Sequence, residues 1–328
     1  MSRAQLTSTV EQNTGGAVAP VVAGKNFVIG GGFDIWQRGT SFASTSGYFA
    51  DRWTNLGDFS GVTASQQTSG APIGSRYFLR LTSTAASSYW SSYQFIETGM
   101  CAPLWGNTVT MSVKLRRNST LTNGVNFFIQ KSATVDAGSG ATWTTISTFT
   151  AANASMPTGT TSSDWYSLSG SLAVPNDGTA NSLRVVINYG AATASGSVLD
   201  ISNVQLEIGS IATPFSRAGG TLSGELAACQ RYYYATQTGT SSYIGYAYAT
   251  NGTLYDVPFP VSMRTNPTAL ITSGTCSAYA LNNPTAITPT FDKASVNSAQ
   301  ILGAITITAG QGSRIECGAN NIGFSAEL

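Results

Sequence analysis

Few residues in this chain are able to do chemistry, and the missing types narrow the possibilities before any fold is considered. The 328 residues include no histidine, so the side chain that most often serves as general base or metal ligand near neutral pH is unavailable. Serine triads and histidine-based zinc sites are excluded with it. Four cysteines, Cys101, Cys229, Cys276 and Cys317, stand far apart without a CxxC pair, which removes zinc knuckles and dithiol redox motifs. Buried free thiols are the expectation, with Cys276 and Cys317 the one candidate local pair. The acids number 15 and are spread singly, whereas glycosidic hydrolysis needs two carboxylates roughly 5 to 10 Å apart. The triple glycine of "NFVIGGGFDIWQRGTSF", Asn26 to Phe42, has neither GxGxxG nor GK[ST] spacing and no following helix to offer an N-terminal dipole, so it is not read as a phosphate cradle.

What remains is the chemistry of recognition. Sugars are held by flat aromatic rings facing pyranose C–H surfaces, beside amides and hydroxyls that match ring hydroxyls. "SSYWSSYQF" supplies such a set: on a strand Tyr89, Ser91, Tyr93 and Phe95 share one face and Trp90, Ser92 and Gln94 the other. One aromatic group must point outward unless both faces are covered. Trp90 and Trp143, the latter within "GSGATWTTIS", are contact candidates; packing under loops or against a neighbouring subunit is the alternative. In "YYYATQTGTSSYIGYAYATNGTLY" tyrosines interleave with Ser, Thr, Gly and Asn, the mixture that binding loops use. Tyr243, Tyr246, Tyr248 and Tyr255 are the candidates there, and alternation would place some of them in a core. Trp36 and Trp53 suit core positions, while Arg38 and Arg52 need carboxylate or carbonyl partners, with Asp34 and Asp51 nearest in sequence.

The elements that must position these residues are strands. Residues 1–25 are polar and carry no apolar period, which reads as an extended arm that docks onto something else. From Asn26 onward, runs such as "RYFLRLTST", "NTVTMSVKLRR", "GVNFFIQKS", "NSLRVVINYG" and "SVLDISNVQLEI" alternate with period two between Gly, Ser, Asn and Asp clusters, predicting an all-β jelly-roll β-sandwich over 26–216. "GGTLSGELAACQRYYY" is the first helical signal, a short connecting helix and neck over 217–234 with Ser223 as cap and Glu225 in the first turn. Leu222, Leu226, Cys229 and Tyr233 fall at 4, 3, 4 spacing, as a self-associating seam would; an amphipathic helix lying on the adjacent β-domain is the alternative. Short strands return over 235–328, a second, smaller β-sandwich. Charged residues are only 9% of the chain and the formal net charge is +1, so no basic field favours nucleic acid. No apolar run reaches the roughly 18 residues of a membrane span, and "MSRAQLTSTVEQ" has no signal-peptide apolar region.

The segment "NFVIGGGFDIWQRG", its continuation "GYFADRWT", and its counterpart "LDISNVQLEIGSIATPF" together resemble phage tail-fibre proteins whose middle region is a carbohydrate-binding-module-like jelly roll; in that resemblance "NFVIGGGFDIWQRG" is the opening strand and "DISNVQLEIG" the closing one. "PFSRAGGTLSGELAACQRYYY" is similar to the linker and helix that follow it in such fibres, and "VPFPVSMRTNPT" and "GFSAEL" to landmarks of their C-terminal tip domain. The resemblance covers nearly the whole chain. It implies a virion protein that is a homotrimer, attaches to host surface glycans without catalysis, docks to the particle through residues 1–25, and is made in the host cytoplasm without a signal peptide. A head-surface or decoration fibre would use the same modules, differing only in what the arm meets. A glycan-degrading tailspike would need paired carboxylates and is commonly built of repeats, and no fixed period is visible. Jelly rolls of this kind often hold one structural calcium near the first and last strands, where Asp34 and Asp200 occupy comparable places, pairing of Asp34 with Arg38 being the alternative, and no other cofactor is implied. In a fibre fixed by its arm, reach places the ligand on the distal C-terminal domain.

Overall fold

The computed structural model describes residues 24–43, 47–55, 61–86, 90–189, 193–236, 241–272, 274–281, 283–318 and 322–328. Residues 1–23 of the arm lie outside the described residues, as does Tyr89. Twelve strands form the first domain: β1 (Ser41–Ala43), β2 (Gly47–Tyr48), β3 (Thr54–Asn55), β4 (Val62–Gln67), β5 (Phe78–Ser83), β6 (Trp90–Ile96), β7 (Thr108–Arg117), β8 (Val125–Ser132), β9 (Thr144–Ala151), β10 (Tyr166–Ala173), β11 (Ser182–Tyr189) and β12 (Val198–Ile208). They make two antiparallel sheets, ordered β1-β4-β5-β12-β7-β10 and β2-β3-β6-β11-β8-β9. From β5 onward the chain crosses repeatedly between them, the winding of a jelly-roll sandwich. Alternation puts Leu79, Leu81, Met111, Val113, Ile201 and Leu206 of one sheet against Trp90, Phe127, Ile129, Val185 and Ile187 of the other in one buried cluster, the arrangement that period-two patterning demands of facing sheets.

The second domain comprises β13 (Tyr233–Ala235), β14 (Ser241–Ala249), β15 (Gly252–Pro258), β16 (Leu270–Thr272), β17 (Cys276–Ala280), β18 (Asn283–Ile287), β19 (Thr290–Ala294), β20 (Ser298–Gly303), β21 (Gly312–Cys317) and β22 (Ile322–Ser325). A three-stranded sheet, β13-β22-β16, covers one face of a seven-stranded sheet, β18-β17-β21-β14-β15-β20-β19, with Phe324 and Ile322 packed in the same cluster as Tyr255, Ile301 and Ile315. Cys276 and Cys317, cross-strand partners on β17 and β21, form a disulfide. Cys101 and Cys229 are buried free thiols. No described helix is long and apolar enough to cross a membrane.

Three local expectations are corrected. The segment from Asn26 to Arg38 is a run of turns, not an opening strand, and Gly30 (φ 70°) and Phe33 (φ 55°) are left-handed. The acceptors that hold it come from far away: Glu225 takes the Gly30 N–H at 2.5 Å and the Gly219 N–H at 2.7 Å, so the glycine-rich stretch is the socket of the connecting helix. That helix, Leu222–Gln230, is capped by Thr221, whose side chain accepts from the Gly224 N–H, rather than by Ser223. The predicted seam is broken, because Tyr233 belongs to β13 and Cys229 is sealed against Ile29 and Tyr232, leaving only Leu222 well exposed at 47%.

Candidate functional site: an outward sheet face of the jelly roll

Because Trp90, Ile96, Leu183, Val185, Ile187, Val125, Phe127 and Ile129 face the core, the intervening residues of β6, β11 and β8 face outward. Antiparallel register aligns these residues into three rows. Phe95, Arg184 and Gln130 stand opposite one another in the first row, Tyr93, Val186 and Phe128 in the second, and Ser91, Asn188 and Asn126 in the third. β9 extends the rows with the exposed Thr145, Thr148 and Thr150. The polar members are locked to one another: Asn188 Nδ2 donates to Ser91 Oγ at 2.7 Å, Thr150 Oγ1 to Asn126 Oδ1 at 2.8 Å, and Arg184 Nε to Gln130 Oε1 at 2.6 Å.

Aromatic rings flank the guanidinium. The Arg184 Cζ lies 5.0 Å from the Tyr93 ring centre and 4.7 Å from that of Trp143, and Trp143 packs on Phe95 at 5.6 Å. Trp143 is held there by a bond from its Nε1 to the Gly138 carbonyl. Burial lowers the pKa of Arg184 while the neighbouring Tyr93 opposes the shift, and among the described residues no carboxylate forms an ion pair with it. Beyond Phe95 the face opens into a hollow of about 430 Å³ lined by Tyr48, Thr54, Asn55 and Ser139. Half-buried rings beside fixed amides and hydroxyls make a surface suited to flat, hydroxyl-rich ligands.

The structure distributes the sequence-predicted contacts unevenly. Trp143 joins this face. Trp90 is 1% exposed and packs inward on Tyr189 at 5.6 Å, so it is a core residue, and the half-buried Tyr93 on the other side of β6 takes the place expected of it, while Phe95 is itself 1% exposed and packs against Trp143. Tyr255 is fully buried and Tyr243 is 8% exposed, since both face the core side of the seven-stranded sheet. Tyr246 and Tyr248 lie on the opposite side of β14, 51% and 53% exposed, beside Ile244 at 80%. Phe128, Arg184, Asn188 and Gln130 were missed, although reading "GVNFFIQKS" and "NSLRVVINYG" by alternate residues assigns them all to one face.

Asp34 and Asp200 are not brought together around a cation. Asp34 is held by Arg217 through two bonds of 2.7 and 3.1 Å. Asp200 is clamped between Arg80 and Arg116, each at 2.7 Å. With both carboxylates committed to guanidinium groups, the expected calcium loses its proposed ligands, and among the described residues no three Cys, Asp or Glu gather as a metal-holding group.

Arg38 and Arg52 find one expected partner and one distant one. Arg38 bridges Asp51 and Glu327, each at 3.1 Å, and Arg52 also pairs with Glu327, so the end of the second domain is tied to the first. Arg38 and Arg52 stack on Tyr233 and Tyr232 at 3.5 and 3.6 Å. Burial pushes the Asp51 carboxyl up to about 6 against the pull of Arg38.

No family model matches this chain, and no curated protein matches it. Among solved structures, it is similar to the CBM22-1 xylan-binding domain of Paenibacillus barcinonensis Xyn10C at 14% identity and a TM-score of 0.33, covering 59% of this chain and 99% of that one. The tandem CBM22-1–CBM22-2 domains of the same protein match at 12% identity and a TM-score of 0.34, over 95% of this chain and 93% of that. The enzymatically active domain of bacteriophage CBA120 tailspike protein 4 matches at 12% identity and a TM-score of 0.36, over 56% of this chain and 21% of the tailspike.

Proposed function

We infer that the protein is a non-catalytic glycan-binding subunit of a phage virion fibre, which holds neutral host-surface sugars on the outward face of β6, β11 and β8. The observation that carries this reading is the three-row register in which Tyr93 and Phe128 stand beside the bonded set of Asn188, Asn126 and Gln130, with Trp143 packed on Phe95 and Arg184. The acids support the absence of catalysis. The pair that shares one guanidinium, Asp51 and Glu327, is 1% and 5% exposed at its side chains, out of reach of a polysaccharide. The virion role, trimeric assembly and docking through residues 1–25 to a tail rather than a head rest on the sequence resemblance to tail fibres. Weak sites repeated on several subunits would raise avidity by roughly 10² to 10⁴.

Glycan-array and affinity-gel binding of the full chain tests the assignment. Tyr93→Ala and Trp143→Ala are expected to abolish retention on host-surface polysaccharide, and Tyr246→Ala with Tyr248→Ala to leave it intact. The exposure of Tyr246 and Tyr248 on β14 favours a second reading, with the ligand on the tip, and the reverse pattern of losses would establish it. Release of reducing ends would overturn the non-catalytic reading.

A further inference from the structure

The opposite sheet carries a groove that the glycan platform does not use. It encloses about 600 Å³ on the outward side of β7, β10 and β12, and its lining includes Ile73, Ser112, Lys114, Ser167, Asn203 and Phe215. Its construction begins at the triple glycine. A Cβ on Gly31 would lie 2.1 Å from the Val204 carbonyl oxygen, so only glycine lets the two backbones meet, and the Val204 N–H donates to the Gly31 carbonyl at 2.9 Å. Where Val204 is drawn aside, β12 bulges between Ser202 and Gln205, and Asn203 takes a left-handed conformation, φ 53°. A bulge of this kind re-aims one side chain.

Asn203 is 9% exposed, and its Oδ1 accepts from Ser75 Oγ at 2.7 Å and Ser202 Oγ at 3.2 Å. Those bonds fix the amide, while its Nδ2 has no acceptor among the described residues. Across the groove Lys114 Nζ donates to Ser167 Oγ at 2.7 Å. Both carboxylates that face outward from this sheet are already taken, Asp200 by Arg80 and Arg116, and Glu207 by Lys25 and Thr213. Lys114 is therefore a half-buried cation with no acidic partner among the described residues, set beside a free amide donor and two serines. Phe215 is half-buried, and Ile73, 83% exposed, stands at the rim. A cation and an amide donor fit a carboxylate, serine hydroxyls fit ring hydroxyls, and a ring with an aliphatic rim fits a pyranose face.

We propose that this groove is a second binding site, separate from the glycan platform, which takes a carboxylate-bearing saccharide with its acid group between Lys114 and Asn203. The full chain, titrated by calorimetry with trigalacturonate, a hyaluronan hexasaccharide and disialic acid, tests it. At least one acidic probe is expected to bind, more weakly as salt rises, and the neutral methyl ester of trigalacturonate to bind poorly here. Lys114→Met should weaken the acidic probe by roughly tenfold or more, the size of one charge-assisted hydrogen bond. Lys114→Gln provides a second, polar variant should the first disturb folding. Asn203→Gly keeps the left-handed backbone and removes only the amide, so a loss of several-fold is expected from it as well. Tyr93→Ala should leave acidic binding unchanged, which separates this site from the neutral-glycan platform: either can fail without the other. No binding of any acidic probe, binding unaffected by both Lys114 variants, or binding lost only in Arg184→Ala would overturn the assignment.

Discussion

Two outward sheet faces of this molecule obey the same alternation and acquire different characters. On β6, β11 and β8 the outward residues meet side chains on the neighbouring strands that they bond or pack on, as Arg184 meets Phe95 and Gln130, and the face becomes a mutually held surface. On β14 the outward Tyr246 stands opposite Gly312 on one side and Leu254 on the other, and with no side chain at Gly312 the tyrosine stays half exposed. Cross-strand partners, more than the residues themselves, decide whether an aromatic strand face is prearranged or loose. The contrast extends to the domains, since the jelly roll stands on one large core and the second domain on a smaller one reinforced by a disulfide.

The sharpest way to test whether the two regions are separate is to cut what joins them. Glu327→Ala leaves Arg52 buried without its carboxylate, and about 3–5 kcal/mol should be lost. Denaturant unfolding followed by domain-resolved hydrogen exchange should show both regions weakened together; a jelly roll that keeps its full protection would show that the clamp serves the second domain alone. Reducing the disulfide should separate them in the opposite sense. Cys276 and Cys317 are 41 residues apart, and opening that loop is expected to cost the second domain about 2–4 kcal/mol. Thermal unfolding with and without reductant checks this, with the jelly roll unchanged.

Acidity gives a third, smaller handle. The buried Asp51 carboxyl sits at about 6 in the folded protein against an ordinary 3.8, so the native state holds this proton more tightly than the unfolded chain does. Its contribution to stability is therefore complete below the unfolded value and is lost as pH rises through about 6, by at most roughly 3 kcal/mol. Melting temperatures taken across that window should fall with pH in the native protein and run flatter in Asp51→Asn. The smallest effects compare the two faces directly. Phe128→Ser should cost about 1 kcal/mol because it removes cross-strand packing, whereas Tyr246→Ser should fall within about 0.5 kcal/mol. Equal losses would mean that the faces are packed alike.

Much of the fold was legible because period-two alternation is local. "NTVTMSVKLRR" and "SVLDISNVQLEI" became β7 and β12 and pair with each other, and the connecting helix lies where its apolar residues and Glu225 predicted. What escaped depends on partners far away in the chain. The glycine-rich segment looked like a strand because its acceptor, Glu225, is 195 residues distant from Gly30. Asp34 and Asp200 looked available for calcium because Arg217 and Arg116 arrive from other elements. The candidate face is half legible in the sequence: the polar setting of Trp143 points to it, and Trp143 packs on Phe95 there. That Tyr93, not Trp90, faces outward cannot be read from one strand, because a strand does not reveal which of its faces looks inward until a second strand supplies the register.

The two ends of the jelly roll also lie side by side. The Gly24 N–H donates to the Ala218 carbonyl at 2.8 Å, and Asn26 Nδ2 to the Ser216 carbonyl at 3.1 Å. Tension applied to the chain at residues 24 and 218 would therefore bypass the twelve strands between them. It would be borne first by these few bonds, opened one after another at roughly 1 kcal/mol each, while the sandwich hung beside the line of pull with both outward faces undistorted. Pulled in this way, the domain yields at its fastening before its sheets deform.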